Sequence, residues 1–246
     1  DLGTAEVYYA AMLSGDQFLM QAFIDKLDFH SYVAKQMFNL PVEVDKVKSV
    51  YPNERQYAKA ITFGIMYQAG PAKIAETVNK DAKEGEGITS AMAKQFIAKY
   101  FREASKLKRF IDNSNSQIES KQYIYSFFGR KRRLPEAKSP NRGVAQHAIR
   151  SGVNFLVQSV ASDINVLGVV DLVRWIEDNG YDEDIKPFTV VHDSIVSEVR
   201  EDLVEEYIKN AKECIQRDRG LTIPNCPIKV DFEVGPSWGE LTDYEF

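Results

Sequence analysis

The chain has 246 residues, 44% of them hydrophobic, which is enough for one large domain or two small ones around a sizeable core. Two cysteines, Cys214 and Cys226, cannot form a disulfide framework, and with no signal peptide and no apolar run approaching a membrane span, a cytoplasmic protein with no membrane partner is expected. The net charge of -5 argues against a uniformly basic nucleic-acid binder, but the charge is segregated: Lys121 to Arg150 carries eight Lys/Arg and one acidic residue, Glu136, while from Asp171 onward nineteen acidic residues outnumber eight basic ones.

In chain order, Asp1 to Gly3 reads as the end of a strand, followed by helices over 5–14 and 16–26 and a third opened by Asp28-Phe29-His30 and running to about Phe38. Residues 41–52 read as a connection. Asn53 and Gln56 have capping-box spacing, which predicts a helix to about Ala69, stopped by Gly70-Pro71. A shorter helix follows from Ala72, then a polar Gly-bearing loop at 80–87. Apolar residues at helical spacing predict one long helix over 90–119. A short strand is expected at 123–128, a basic loop at 129–141 and a long helix at 143–178. Phe188 to Val191 and Ile195 to Val199 flank His192-Asp193-Ser194 as a hairpin. A helix at 201–219 and an alternating, half-buried strand at 228–234 complete the chain.

Asp1 sits at a strand end and Asp193 at a hairpin tip, 192 positions later. A lone Asp in a turn is ordinarily a turn former. Two carboxylates on adjacent strands, however, suffice for a pair of Mg²⁺ ions roughly 3.5–4 Å apart, because Mg²⁺ keeps water and phosphate oxygens as its other ligands. Glu6, one turn into the first helix, suits either the helix dipole or the sugar of an incoming nucleotide.

Arg55, Lys59, Phe63 and Tyr67 recur every four residues and therefore share one side of a helix. Two cations resist burial, so this row is a poor core stripe and a good match for a triphosphate and a base. Lys59 is placed to protonate or neutralise a departing pyrophosphate, and His30 to add a phosphate contact. A second row, Arg150, Asn154 and Gln158, carries groups suited to the minor groove, where purine N3 and pyrimidine O2 present acceptors in every base pair. Arg130, Arg132 and Arg133 would meet the phosphate backbone.

These motifs, in this order, resemble those of family A DNA polymerases over essentially the whole chain. Asp1 to Glu6 is similar to the family's first catalytic motif, Arg55 to Tyr67 to its fingers helix, and His192-Asp193 to its last catalytic motif. Asp28-x-His30, Gly129 to Pro135, the Arg150 row and Gly235-x2-Trp238 match as well. The resemblance implies an α+β right-hand fold, with palm at 1–20 and 141–246 and helical fingers at 21–140. The thumb and upstream palm would be absent from these residues. It also implies two-metal DNA synthesis from deoxynucleoside triphosphates (dNTPs) on primer-template DNA. Asp1 and Asp193 would hold the ions, Lys59 would act as general acid, and Arg55, Lys59 and His30 would bind the triphosphate. Glu6 and Tyr67 would exclude ribose, Phe63 would disfavour dideoxynucleotides, and His192 would approach the primer terminus.

Three positions depart from the family pattern: Tyr8 where Arg is common, Gln68 where Gly is usual, and Ser194 where an acidic residue is usual. His192-Asp193-Ser194 is also the last motif of single-subunit RNA polymerases, against which Glu6 stands. A non-catalytic DNA-binding relative would be expected to lack Asp1, Asp193 or Lys59. The start on Asp1 leads us to expect a missing N-terminal polypeptide carrying the thumb and the rest of the palm, with or without an exonuclease.

Overall fold

The computed structural model describes residues 4–80, 87–191 and 193–244. They divide into two compact units, one formed by residues 1–9 and 157–246 and the other by 10–156. The boundaries fall inside the first and the longest helices.

Helix α1 (Ala5–Ser14) leads into the 10–156 unit, which continues with α2 (Gln17–Ile24), α3 (Phe29–Phe38), α4 (Val44–Val50), α5 (Pro52–Met66), α6 (Pro71–Lys80), α7 (Ser90–Glu103) and α8 (Ser105–Lys121). The expected connection at 41–52 therefore contains a helix. It is short, with Val47 its one buried residue, and gives little periodic signal. α5 begins at Pro52, a residue pre-set for the first helical position, so Asn53 lies inside the helix and no side-chain cap forms.

The single long helix expected over 90–119 is two. Ala104 leaves helical geometry at φ -90, ψ 55, and α8 restarts without a cap of its own. Its orphaned Lys106 and Leu107 N–H groups donate to Asp16 Oδ2 at 2.9 and 3.0 Å, while Asp16 Oδ1 accepts from Leu19 N–H at 3.3 Å. One buried carboxylate thus caps both α2 and α8. Because apolar spacing continues across the break, the sequence pattern does not reveal it.

Strands β1 (Tyr123–Tyr125) and β2 (Lys131–Arg133) form an antiparallel hairpin with Tyr123 opposite Arg133. The expected basic loop therefore contains the three residues of β2, followed by a 3-10 turn at Pro135–Lys138. α9 (Arg142–Asn179) then runs 38 residues. A Cβ at Gly152 would collide with the Ile118 and Leu134 side chains, so glycine permits α9 to lie close against α8. α9 is the one helix, among the described residues, long and apolar enough to cross a membrane by length and composition, which the sequence reading did not anticipate. Half of its most apolar 18-residue window is buried within the protein, as in a core helix.

The other unit adds β3 (Ile185–Val191), β4 (Ser194–Val199), α10 (Val204–Gln216), β5 (Phe232–Val234) and β6 (Thr242–Tyr244). The sheets among the described residues are antiparallel pairs: β1 with β2, β3 with β4, β5 with β6. One core cluster of this unit is Leu172, Ile176, Ile185, Leu203, Ala211 and Cys214, against which Trp175, Tyr181, Tyr207 and Phe232 pack. The predicted strand at 228–234 is regular only from Phe232 onward. Asp171, on α9, accepts hydrogen bonds or ion pairs from Arg219 at 2.6 Å and Arg217 at 3.0 Å, tying the chain beyond α10 back to α9.

Candidate functional site

In the 10–156 unit, α5 buries Tyr57, Ala58, Ile61, Thr62, Ile65 and Met66. Arg55, Lys59, Phe63 and Tyr67 form the row turned away from that core: Lys59 and Tyr67 are exposed, Arg55 and Phe63 half-buried. Glycine at position 64 lets α6 approach, since a Cβ there would overlap the Ile74 side chain.

α3 packs beside α5 and starts at Asp28. Asp28 Oδ2 accepts from Ser31 N–H at 2.8 Å, capping the helix. The same carboxylate takes two hydrogen bonds from the Arg55 guanidinium, Nε to Oδ2 and Nη2 to Oδ1, each 2.8 Å. Burial pushes the Asp28 carboxyl up, but the Arg55 and Ser31 hydrogen bonds outweigh it and hold the group well below the usual carboxylate range. Arg55 is correspondingly raised by Asp28. Sequence reading found Asp28 as a helix opener and missed this pair, because 27 residues separate the partners.

His30 is buried, 5.8 Å from the Phe63 ring centroid, and its Nδ1 has no hydrogen-bond partner. Burial drives its pKa down to about 4; Asp28 opposes the shift, while Arg55 and Lys59 add to it. The imidazole is therefore neutral near pH 7 and meets a ligand as a hydrogen-bonding group, not as a cation.

Tyr67 closes α5 as its C-cap residue. Gln68 follows with φ +52, the left-handed region that favours glycine. Here the position is filled by a side chain whose Oε1 accepts from Asn115 Nδ2 at 3.1 Å, linking the end of α5 to α8.

The basic hairpin carries Arg130 and Arg133 exposed. Arg132 donates to Ser151 Oγ at 2.8 Å and lies 5.4 Å from the Phe155 ring, so it is anchored to α9. Lys131 Nζ sits 3.9 Å over Tyr123 and 5.6 Å from Tyr125. Arg150 and Asn154 are half-buried on α9, and Gln158, one turn on, is exposed.

In the other unit, Glu6 is half-buried in the first turn of α1, where a carboxylate favours the helix N-terminus. Tyr8, the second departure, is 2% exposed. Its hydroxyl donates to the Cys226 carbonyl at 2.7 Å and accepts from Ile223 N–H at 2.9 Å. It thereby holds the turn at 223–226 against α1. Val191 pairs with Ser194, and Asp193, in the turn just before β4, is half-buried. Ser194 is the first residue of β4, the third departure.

Asp1 and His192 lie outside the described residues. Among the described residues no group of three or more His, Cys, Asp or Glu could hold a metal. Asp193 carries the kind of oxygen a hard divalent cation takes, a carboxylate in the turn before β4.

A family model described as DNA polymerase family A matches residues 1–240. The chain is 48% identical to the DNA polymerase of Escherichia phage T5, over 94% of this chain and 29% of that protein. It is 29% identical to DNA polymerase I of Pseudomonas aeruginosa, over 98% of this chain and 24% of the relative. Among solved structures it is similar to the POL domain of Pol1 from M. smegmatis, in complex with DNA primer-template and dNTP. That match has a TM-score of 0.79 at 27% identity and covers 93% of this chain and 37% of the other. The chain thus spans less than a third of the length of the two polymerase relatives.

Proposed function

The chain belongs to DNA polymerase family A, and from that premise we propose that it performs template-directed DNA synthesis, joining a dNTP to a primer 3′-hydroxyl. The observation that carries this reading is the α5 row: Arg55 held in a bidentate pair and Lys59 exposed above it, with Phe63 against the neutral His30. No core requires that combination; a triphosphate with an attached base does.

In this reading Arg55 and Lys59 neutralise the β- and γ-phosphates, and His30 donates or accepts a hydrogen bond there as an uncharged ring. Lys59 transfers a proton to the leaving pyrophosphate. Phe63 and Tyr67 contact sugar and base. Tyr67 and Glu6 each disfavour a 2′-hydroxyl. Arg130, Arg132 and Arg133 meet backbone phosphates, Arg150, Asn154 and Gln158 read minor-groove acceptors, and His192 meets the primer terminus. Asp193 and Asp1 are the ligands for divalent metal, proposed to be two Mg²⁺ ions. Metal held by these carboxylates would supply a lowered pKa for the attacking hydroxyl and positive charge against the phosphate.

Residues 21–140 are proposed to be fingers, and residues 1–20 and 141–246 palm. Grip on the duplex would come from polypeptide corresponding to the rest of the relatives' length. If the source is a phage, the site of action would be the host cytoplasm.

Primer extension by the polymerase in its native polypeptide form tests this. Asp193→Ala is expected to lower extension by at least ~10³-fold while primer-template binding persists. Undiminished extension would remove Asp193 from the reaction. Preference for ribonucleotides over deoxynucleotides would overturn the assignment in favour of an RNA polymerase.

A further inference from the structure

Arg55 uses its Nε–Nη2 edge on Asp28, two hydrogen bonds of 2.8 Å each. A guanidinium has five N–H groups in a rigid plane, so pairing one edge with a carboxylate leaves three donors on the rest of the fork. An unpaired arginine on an open helix face samples many rotamers; one gripped at two points does not. The Asp28 and Arg55 side chains are 42% and 22% exposed, so the pair adds little to stability on its own account. Its consequence is geometric.

Asp28 Oδ2 is shared. It accepts from Arg55 Nε and, at 2.8 Å, from Ser31 N–H. The carboxylate that aims Arg55 on α5 thereby also fixes the start of α3. His30 lies in the first turn of α3, its ring against Phe63 of the same α5 row. A single side chain sets the relative placement of two groups from different helices, both directed at one ligand.

We infer that Asp28 is a positioning residue for triphosphate recognition, holding the Arg55 guanidinium in its binding orientation and indexing His30 to it through the α3 cap. The inference rests on Arg55 contacting the triphosphate, as proposed above. Asp28 is not expected to touch the nucleotide: a carboxylate facing phosphate would be repelled, and here its oxygens are turned to Arg55 and a backbone N–H. Pre-orientation of this kind lowers the ordering cost when the nucleotide arrives, so its loss acts on binding before it acts on chemistry.

Asp28→Asn isolates the effect, because asparagine caps a helix about as well as aspartate but cannot offer two charged acceptors to one guanidinium. Steady-state incorporation on a fixed primer-template, with dNTP titrated in Mg²⁺, is measured for the wild-type polymerase, Asp28→Asn, Arg55→Ala and the double variant. Asp28→Asn is expected to raise the KM for dNTP about tenfold and to lower kcat less than threefold, the change for an interaction made equally in ground and transition states. In the Arg55→Ala background the same substitution is expected to add nothing, since there is no guanidinium left to aim. A purely structural aspartate would give additive effects and a lower Tm with KM in place. Unchanged or lower KM in Asp28→Asn, or full additivity, overturns the inference and leaves the proposed function standing. An Arg55→Ala enzyme with wild-type KM overturns the inference together with the proposed triphosphate contact of Arg55, while the proposed DNA synthesis stands.

Discussion

Replacing Tyr8 by Phe removes one oxygen atom from a site that is 2% exposed. That oxygen donates to the Cys226 carbonyl at 2.7 Å and accepts from Ile223 N–H at 2.9 Å. Burial raises the phenol to about 12, so at neutral pH the hydroxyl keeps the proton it donates. Phenylalanine preserves the ring and its edge-on contact with Tyr9, 5.3 Å between centroids, so no cavity of consequence opens. What is lost is hydrogen bonding. A buried N–H left without an acceptor costs about 1–3 kcal/mol, and the weakened carbonyl adds about 1 kcal/mol, so about 3 kcal/mol is expected in total. Guanidinium or urea unfolding at pH 7, with the slope unchanged, reads this directly. A loss below about 0.5 kcal/mol would show that the turn at 223–226 does not depend on the hydroxyl, and would refute the account of why tyrosine stands at this position.

Asp16→Ala orphans the Leu19, Lys106 and Leu107 N–H groups at once, and a stability loss of about 4 kcal/mol is expected by chemical denaturation. Asp16→Asn, which keeps an oxygen for capping, should lose clearly less. His30, at about 4 when folded against an unfolded value of 6.5, binds fewer protons in the native state between those limits. Its contribution to stability is therefore complete above pH 6.5 and is lost as pH falls toward 4, by about 2–3 kcal/mol at pH 4.5, and His30→Gln should flatten that part of the curve. Asp28, depressed below its ordinary value, loses its stabilising effect only at still lower pH, so the two groups separate in a denaturation series from pH 7 to pH 3. Lys59→Ala is expected to lower single-turnover incorporation by about 10²–10³-fold, with a smaller loss when the leaving group is made more acidic. Equal losses for both leaving groups would leave Lys59 as a charge and not a proton donor.

The row Arg55, Lys59, Phe63 and Tyr67 was legible because one helix fixes it: four-residue spacing defines a face without reference to anything else in the chain. The β3–β4 hairpin was legible for the same reason, its alternation and turn residues being local. The break at Ala104 was not, because both halves bury residues in one continuous pattern and the capping group is Asp16, ninety positions away. At Gln68 and Tyr8, which depart from the family pattern, the side-chain partners are Asn115 and the backbone of Ile223 and Cys226, which no local rule indicates.

By itself, then, the sequence determined which residues share a helix face or hairpin tip, and through its ordered motifs the family. Only the tertiary structure decided what those side chains lean on: the Asp28 carboxylate gripping Arg55, the burial that strips His30 of its charge, and the two helices hung from Asp16. Periodicity is a property of neighbouring residues along one element. Burial, and hydrogen bonds between residues far apart in the chain, exist only once separate elements are packed together.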